Sequence, residues 1–423
     1  MSEPIHPLRI RDYRLVWLAR FLSVNATSAL VVVLGAQVYQ VARTVNGMAP
    51  DQAAFLLGIL GLVQFIPFAL LTPVAGLIAD KLDRRFVIAA ATGIDFAIAL
   101  VLGWANAMGA VTLPLLFALA AAHGAARVFI GPSLSAIVPN VVAAEQLPRA
   151  IAFSSIAWQS ASVIGPALGG LLLARGSSLP YWYGAILLAL SIAAILAIRP
   201  IPRPSVAKDA PLKLIAEGAR YVWHERFLLG CVSLDLFAVL LGGATAMLPA
   251  FAYDVLHVGD EGLGLLRAAP ALGASVVALG LSIAPISRQV GSKMLWSVAL
   301  YGLATLVFGL SKNFALSLGM LAVLGAADGI SVFIRNTLIQ LNTPDDKRGR
   351  VSSISGLAIS ASNELGEMQS GLAAALLGPI GAVALGGAGA IVVTAVWSIL
   401  FPELRRAKTF APQYREPRKE PVK

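Results

Sequence analysis

The chain has 423 residues, of which 58% are hydrophobic and only 13% are charged, and its mean hydropathy is +0.80. Soluble domains carry roughly 25% charged residues, and a soluble protein this apolar would aggregate through its exposed patches, so the composition excludes a soluble fold and indicates a membrane protein. The net charge of +10 lies in short bursts between long apolar runs, which fits loops between membrane spans and argues against nucleic-acid binding.

Twelve apolar stretches are long enough to cross a membrane, which requires about 20 residues for a hydrocarbon core of roughly 30 Å. The first follows a polar, basic N-terminus without a small-residue cleavage site, so it is interpreted as a retained helix and not as a signal peptide. The stretches lie near 14–41, 53–79, 86–107, 112–138, 149–174, 179–198, 228–252, 261–285, 293–311, 314–340, 351–376 and 379–401. The sequence therefore predicts an all-α membrane protein with about twelve transmembrane helices.

Lysine and arginine crowd into alternate loops. The basic loops precede the odd-numbered spans and contain Arg9, Arg11, Arg14, Lys81, Arg84, Arg85, Arg149, Arg288, Lys293, Lys347, Arg348 and Arg350, together with the basic residues of 199–226. The opposite loops hold little beyond Arg43, Arg175, Arg267 and Lys312. Because basic loops remain in the cytoplasm, both termini are expected there, in a multi-pass protein of the bacterial inner (plasma) membrane.

The long connection in the middle of the chain, 199–227, is predicted to be a cytoplasmic linker. Its first part is Pro-rich and extended. Its second part has apolar residues at helical spacing, which favours an amphipathic helix on the membrane surface over a solvated linker helix. The apolar stripe consists of Leu212, Ile215, Ala216, Ala219, Val222 and Trp223. At the other end of the chain, 405–423 is predicted to be a basic cytoplasmic tail.

The two parts of the chain on either side of this linker resemble each other. Val128-Phe-Ile in span four recurs as Val332-Phe-Ile in span ten, and further ordered matches follow with one short deletion. Parallel six-span halves related by an axis along the membrane normal are a known plan for transporters. We therefore expect one six-helix bundle at 1–198 and a second at 228–404.

The loop between spans two and three reads Gly76-Leu-Ile-Ala-Asp-Lys-Leu-Asp-Arg-Arg85. It resembles the G-x-L-x-D-R-x-G-R-R signature of the major facilitator superfamily. The matching positions are Gly76, Asp80, Arg84 and Arg85. Lys81 replaces an arginine and Asp83 replaces a glycine. The resemblance implies that this loop is a conformational latch between the two halves; a simple topology signal is the alternative.

Span five carries Gly165-Pro-Ala-Leu-Gly-Gly170, which is similar to the antiporter signature of drug-exporting members of the superfamily. Pro166 removes a backbone donor and bends the helix, while Gly165, Gly169 and Gly170 permit tight helix packing. Span four carries Arg127-Val-Phe-Ile-Gly131, which resembles an R-x-x-Q-G element linked to proton coupling, with isoleucine in place of glutamine.

The second half extends the resemblance over nearly the whole chain. Gly329…Arg335 and the runs at 343–351 and 362–367 are similar to the subgroup of drug:proton antiporters that contains the enterobactin exporter and macrolide efflux proteins. This resemblance implies alternating access in a monomer, with a small-molecule substrate, coupling protons and the surrounding membrane lipids as partners.

Charged side chains inside a bilayer cost about 2.5–3.5 kcal/mol each on insertion scales, so those within the predicted spans are functional candidates. They are Arg20, Asp95, Arg127, Asp235, Asp328, Arg335, Glu364 and Glu367. Glu364 and Glu367 are neighbours on one helix face, and two carboxylates this close cannot both ionise cheaply, so one is expected to hold a proton. We expect this pair, with Asp328 and Asp235, to carry coupling protons; hydrogen bonding between helices is the alternative.

The other buried charges have less specific interpretations. Asp328 and Arg335 lie two turns apart, roughly 10 Å, which is too far for a direct bond. Asp235 is equally compatible with a bond to a basic loop residue. Arg20 is expected to reach the cytoplasmic interface. The resemblance implies that Asp95, on span three, faces lipid or scaffold more than the cavity. A histidine such as His123 is more often packed in a core than part of a proton relay.

Spans one, four, seven and ten are expected to line a central cavity. The polar side chains that they offer are Asn25, Thr27, Gln37, Arg127, Asp328 and Arg335. Amide, hydroxyl and charge among phenylalanine and leucine suit an amphiphilic compound. The leading hypothesis is therefore export of a small drug-like or siderophore-like compound by proton-coupled alternating access. The alternative is a lipid or metabolite transporter of the same fold, a flippase or importer without proton antiport.

Catalytic, metal and cofactor sites are not predicted. The sequence has no G-x-x-x-x-G-K-[ST] phosphate loop, no G-x-S-x-G and no H-E-x-x-H motif, which argues against an ATP-driven pump and a membrane enzyme. Its single cysteine, Cys231, excludes a disulfide framework, and its four histidines are scattered without metal-ligand spacing.

Overall fold

The computed structural model describes residues 6–200, 211–344 and 347–412, with the side chains of 76, 77, 79–81, 132, 135, 144 and 211–215 outside the description. The regular elements of this described part are helices. They are α1 (Arg11–Gln40), α2 (Pro50–Lys81), α3 (Arg84–Ala107), α4 (Leu113–Val141), α5 (Leu147–Arg175), α6 (Leu179–Leu196), α7 (Pro211–His224), α8 (Arg226–Leu241), α9 (Leu248–Ala250), α10 (Gly259–Ile283), α11 (Val290–Leu310), α12 (Phe314–Asn342), α13 (Arg348–Leu400) and α14 (Pro402–Arg406).

The prediction of an all-α protein with twelve spans is confirmed. In the described ranges, 11 helical segments are long and apolar enough to cross a membrane. The last of them, α13, has 53 residues and is broken at Gly378, whose φ of 72° and ψ of 168° are not helical. A side chain would strain this backbone, so glycine is the residue that allows the chain to reverse here. Helix α13 therefore supplies two spans, 348–377 and 379–400.

The first and seventh spans end in the same unusual way. Helix α1 continues into a π-helical turn at Val41–Val45, and the seventh span, formed by α8 and α9, ends in a π-helical turn at Phe251–Val255. Single π turns frequently occur at functional sites in helices. The shared ending is a structural counterpart of the internal repeat, and it lies at the same end of the bundle in both halves.

The bundle has two ends, which we call the terminal end and the distal end. The terminal end carries the start of α1 at Arg11 and the end of α13 at Leu400. The distal end carries the two π-helical turns and the break at Gly378. Helix α7 lies at the terminal end, where a Cβ on Gly218 would be 2.8 Å from the carbonyl oxygen of Arg350 in α13.

The linker helix predicted between the halves corresponds to α7. Val222 is buried against the second half, whereas Trp223 is 72% exposed. Ala216 and Ala219 are exposed as well, so part of the apolar stripe faces away from the protein. The side chains of Leu212 and Ile215 lie outside the described residues, as do residues 201–210 of the linker and 413–423 of the predicted tail.

The two halves meet through two pairs of helices that contain closely packed glycines. Helix α2 packs on α13, where a Cβ on Gly58 would be 2.7 Å from the Cα of Gly371. Helix α5 packs on α10, where a Cβ on Gly170 would be 2.6 Å from the Cα of Gly264. Small residues let helix backbones approach closely in membranes, because van der Waals packing replaces the hydrophobic effect there.

We expect Gly170→Ala to destabilise the protein by about 1–3 kcal/mol, because the added methyl group would meet backbone atoms that cannot move independently. The measurement is the apparent Tm of the purified protein in detergent. The matched control is Gly93→Ala in α3, since a Cβ there meets nothing within 4 Å. A Gly170→Ala protein as stable as the Gly93→Ala protein would contradict the close contact between α5 and α10.

Candidate functional site

Two connected chambers lie between the halves, on the terminal side of the bundle centre. The larger, of about 830 Å³, is lined by α2, α4 and α13, with Phe68, Arg350 and Glu364 among its walls. The smaller, of about 710 Å³, is lined by α1, α3, α4, α5 and α10. Arg127 and Gly131 belong to the walls of both, so the chambers meet at the middle of α4.

Arg127 and Glu364 form an ion pair that bridges the two halves where the chambers meet. The Nη2 atom of Arg127 donates to Oε1 of Glu364, and the guanidinium carbon lies 5.1 Å from the centre of the Phe68 ring. The carboxylate side chain is only 9% exposed, whereas that of Arg127 is 37% exposed. A charge in such a site needs its partner, so any change in the charge of Glu364 acts directly on contact between the halves.

Glu367 has surroundings different from those of Glu364, although the two share a helix face. A Cβ on Gly61 of α2 would lie 2.9 Å from Oε2 of Glu367. The Glu367 side chain therefore fills the space beside Gly61 that a larger residue at position 61 would need. Glu367 also lines a small cavity of about 40 Å³ together with Gln64 and Arg267. The two glutamates of the predicted pair therefore lie beside different arginines. Glu364 binds Arg127, and Glu367 shares the small cavity with Arg267.

Arg267 is a cavity residue, although the sequence analysis counted it with the few basic residues of the loops opposite the basic ones. Helix α10 begins at Gly259, so Arg267 lies two turns inside the helix. It lines the smaller chamber and donates from Nη1 to the carbonyl oxygen of Thr245 at 2.9 Å. The predicted span 261–285 already contained this position, and Asp260 and Glu261 in the first turn of α10 favour a helix N-terminus there.

Asp235 and Arg335 form a buried ion pair inside the second half. Nη1 of Arg335 donates to Oδ1 of Asp235 at 2.5 Å, and their side chains are 1% and 8% exposed. The alternative in which Asp235 binds a basic loop residue is therefore wrong. Neither residue lines the two chambers, and neither does Asp328, which is half-buried two turns before Arg335.

Two of the amides predicted to line the cavity hold the first half together instead. Asn25 accepts a hydrogen bond from the Tyr183 hydroxyl at 2.7 Å. Gln37 donates to Asn106 at 2.5 Å and accepts from the Tyr181 hydroxyl at 2.6 Å. Both amides are buried and bind α6, and Gln37 also binds α3.

Thr27 and Arg20 line the smaller chamber from α1. The hydroxyl of Thr27 donates to the carbonyl oxygen of Ser23 at 2.8 Å, so its methyl group is the part left for the chamber. Arg20 was expected to reach the cytoplasmic interface, whereas the structure has it in the chamber wall with Asp95 and His123. Asp95 and His123 are bonded to each other, which neither of their separate interpretations had anticipated.

The glycines of span five pack α5 against both halves. A Cβ on Gly165 would lie 2.5 Å from the carbonyl oxygen of Asn25, and one on Gly169 would lie 3.1 Å from the Cα of Ala29. Gly170 faces the other way, onto α10. Pro166 lines the smaller chamber. The motif therefore lies where α1, α5 and α10 meet.

The loop between α2 and α3 binds its own half. Nη1 of Arg84 donates to the carbonyl oxygen of Ala136 at 2.9 Å, and Nη1 of Arg85 donates to that of Ile198 at 2.5 Å. Asp83 caps α3 and pairs with Arg85 at 2.6 Å. The side chains of the remaining latch residues, Gly76, Asp80 and Lys81, lie outside the described residues.

A polar cluster closes the distal end between the halves. Asp254 accepts a hydrogen bond from the Tyr39 hydroxyl and lies 3.4 Å from Nε of Arg43. Asp260 accepts from Gln40 at 3.0 Å and from Tyr253 at 2.5 Å. We call this set the distal closure; its residues are Tyr39, Gln40, Arg43, Tyr253, Asp254 and Asp260. It was not predicted, because both aspartates lie between the predicted spans 228–252 and 261–285 and carry no motif.

Comparison with known proteins agrees with this architecture. The family model of the Major Facilitator Superfamily matches residues 16–367. The chain belongs to this superfamily. It is therefore a multi-pass membrane transporter and not an enzyme.

Individual transporters are similar to this chain along nearly its whole length. The enterobactin exporter EntS of Citrobacter koseri is 27% identical over 401 residues, which is 93% of this chain and 92% of EntS. A bacterial homologue of the human lysosomal transporter Spinster, solved inward-facing and unoccupied, has a TM-score of 0.67 at 17% identity over 99% of this chain and 100% of its own. The transporter PepTSo has a TM-score of 0.73 at 10% identity, covering 94% of this chain and 98% of its own.

Breaking the buried pair in the second half should be strongly destabilising. Asp235→Asn and Arg335→Gln each leave one buried charge without its partner, which costs about 3–5 kcal/mol, whereas the double variant should lose less than either single one. Apparent Tm in detergent measures the effect. The control is Arg11→Gln, which should change little, because the Arg11 side chain is 54% exposed in its ion pair with Asp12. A double variant that loses the sum of both single effects would contradict the pairing.

Weakening the distal closure should open the distal end. Asp254→Asn removes the charge that Tyr39 and Arg43 bind, a loss of about 1–2 kcal/mol that shifts a two-state population by a factor of about 5–30. Spin labels at Val45→Cys and Glu261→Cys, in a Cys231→Ala background, report the distance between the halves at this end. Asp51→Asn is the control. Equal distance distributions in all variants would show that the closure does not hold the distal end.

Proposed function

We propose that this transporter exports a small amphiphilic compound by proton-coupled alternating access. One observation carries the proposal: the chambers lie on one side of the closed distal end, and their meeting point is bridged by the Arg127–Glu364 ion pair. A site that reaches one side only, with a charge bridge between two rocking halves, is what alternating access requires.

The terminal end faces the cytoplasm in this proposal, because the basic loops lie at that end. Both chain termini are then cytoplasmic, in the bacterial inner membrane, and the chambers are accessible from inside the cell. The halves extend over 1–198 and 228–404, joined by the linker 199–227, and the transporter works as a monomer. Trp223 and the exposed alanines of α7 support a position for this helix on the membrane surface.

The chamber walls support an amphiphilic substrate. Phe68 and Trp158 offer aromatic surface, while Arg20, Arg127 and Arg267 offer donors to oxygen atoms. The similar protein of Citrobacter koseri is an enterobactin exporter, which favours export and a siderophore-like compound. Drug-like molecules of similar character fit the same walls.

The coupling protons are carried by Glu364 and Glu367 in this proposal, with Asp328 and Asp235 as further candidates. A proton on Glu364 removes its charge and therefore releases Arg127 from the bridge between the halves. Glu367 lies next to Arg267 and α2, closer to the distal closure. The pair thus extends from the chambers toward the distal end, along the direction in which a proton must pass.

The remaining motifs have roles in closing the opposite end. In the outward-open state, the latch residues Gly76, Asp80, Lys81, Arg84 and Arg85 would join the halves at the terminal end. In the state described here, Arg84 and Arg85 bind their own half, which is consistent with an unlatched terminal end. The glycines and Pro166 of α5 form the contact with α1 and α10 around which the halves rock.

The test is proton movement in proteoliposomes. Internal pH is recorded while enterobactin, erythromycin or Hoechst 33342 is added to the wild type and to the Glu364→Gln/Glu367→Gln variant. We expect at least one compound to move protons in the wild type, and that movement to be lost in the variant, because two neutral amides cannot carry a proton. The control is Glu145→Gln, which removes an exposed carboxylate.

Two other outcomes would contradict parts of the proposal. Compound movement without proton movement in the wild type would indicate facilitated or lipid transport, the alternative within the same fold. Coupled transport that persists in the double variant would show that Glu364 and Glu367 do not carry the protons. The proposal of export would be unaffected by that result.

A further inference from the structure

We infer that Asp95 and His123 form a proton-binding dyad that carries a coupling proton in the first half of the transporter. The inference rests on the proposed function and deepens it. It assigns to the first half a proton site separate from the glutamates of α13. Asp95 lies on α3 and His123 lies on α4, so the two residues are brought together only by the packing of these helices.

The geometry of the dyad is that of a shared proton. Nδ1 of His123 and Oδ1 of Asp95 are 2.8 Å apart. The side chain of Asp95 is 1% exposed and that of His123 is 10% exposed. The second carboxylate oxygen of Asp95, Oδ2, is buried without a hydrogen-bond partner among the described residues. A buried carboxylate oxygen without a hydrogen-bond partner leaves the dyad with an acceptor position that a further donor can fill.

The dyad can exchange its proton with water, because both residues belong to the wall of the smaller chamber. The buried Asp235–Arg335 pair, by contrast, lines neither chamber, and arginine does not release its proton in proteins. Histidine is the side chain whose charge changes between about pH 5 and 8 without special surroundings. His123 therefore combines a position in the chamber wall with a side chain that can bind and release a proton.

The charged groups around the dyad come from three helices. Arg20 of α1, Arg127 of α4 and Arg267 of α10 line the same chamber, and α5 contributes Trp158 and Ser162. Beside these three arginines, Asp95 is the acidic residue of this chamber's described wall. Loss of the dyad proton therefore changes a substantial share of the charge in the chamber.

The dyad acts on the bridge between the halves through Arg127. His123 and Arg127 are four residues apart on α4, so they are neighbours on one helix face. A proton on the dyad adds positive charge beside Arg127 and favours its bond to Glu364 in the other half. When that proton leaves, Asp95 competes with Glu364 for Arg127, and the bridge weakens. The protonated dyad thus favours the state with a closed distal end, and its deprotonation favours opening.

The experiment needs no substrate. The spin-label pair at Val45→Cys and Glu261→Cys, in the Cys231→Ala background, is measured in lipid nanodiscs between about pH 5 and 9. We expect the distal distance to lengthen as the pH rises in the otherwise unmodified protein, because loss of the dyad proton weakens the bridge. Protonation of Glu364 acts in the opposite sense, so a distance that lengthens only as the pH falls would report Glu364 and overturn the dyad. Asp95→Asn should keep the distance short at every pH, because an amide cannot acquire the negative charge. His123→Gln should move the midpoint of the change by more than about one pH unit.

Three further variants distinguish titration of the dyad from titration of Glu364 or of a carboxylate outside the chambers. Asp95→Glu keeps a carboxylate and should restore a pH response. Glu364→Gln removes the bridge partner, so its protein should favour an open distal end at all pH values. Asp51→Asn removes a carboxylate outside both chambers and should behave like the unmodified protein. Apparent Tm shows whether each variant is folded.

The outcomes distinguish failure of this inference from failure of the proposed function. A pH response with the same midpoint in the Asp95→Asn and His123→Gln proteins would overturn the dyad, while proton coupling through the glutamates would stand. A distal distance independent of pH in the unmodified protein would overturn the dyad and count against proton coupling as a whole. Compound export itself is decided separately, by the proteoliposome measurement.

A second measurement applies if Asp95→Asn does not fold. Nitrogen-15 NMR of labelled histidine follows the four histidines of the protein, and His123→Gln identifies the signal of His123. A His123 signal that changes with pH between about 5 and 8 supports the dyad. A signal that stays constant over this range overturns it.

Discussion

Charge inside the membrane is the constraint on which the rest of this structure depends. An ionised side chain in a bilayer must find a partner or reach water, because the surrounding hydrocarbon offers neither. The protein meets this requirement in two ways. Arg335 and Asp235 bind each other within one half, away from both chambers, and therefore stabilise that half in any conformation. Arg127 and Glu364 bind across the halves, so their bond exists only while those helices face each other.

Contact between the halves is divided between packing and polar bonds. Glycines on α2, α5, α10 and α13 bring backbones together without side chains between them, and such contacts are insensitive to pH. The distal closure and the Arg127–Glu364 bridge depend on aspartate and glutamate charges. Packing thus defines where the halves touch, whereas charge decides how firmly they hold in a given state. In the proposed proton-coupled mechanism, the second kind of contact is the adjustable one.

The two halves use their shared architecture differently. The first and seventh spans both end in π-helical turns, and residues of both turns meet in the distal closure. The buried polar groups are not shared in this way. The first half contains Asp95–His123 beside a chamber, and the second half contains Asp235–Arg335 away from the chambers. Repetition therefore explains the scaffold, while the chemistry of each half comes from its own side chains.

The sequence by itself determined the twelve spans, the helical linker segment and the superfamily, because each depends on local hydrophobicity or on contiguous motifs. It also singled out Arg127, Glu364 and Glu367, because charge within an apolar run is visible without coordinates. Only the tertiary structure decided the partners. Asp95 with His123, Arg335 with Asp235 and Tyr39 with Asp254 each join residues from different helices. Their proximity is produced by helix packing, which depends on many small contacts at once and leaves no periodic or local signal in the chain.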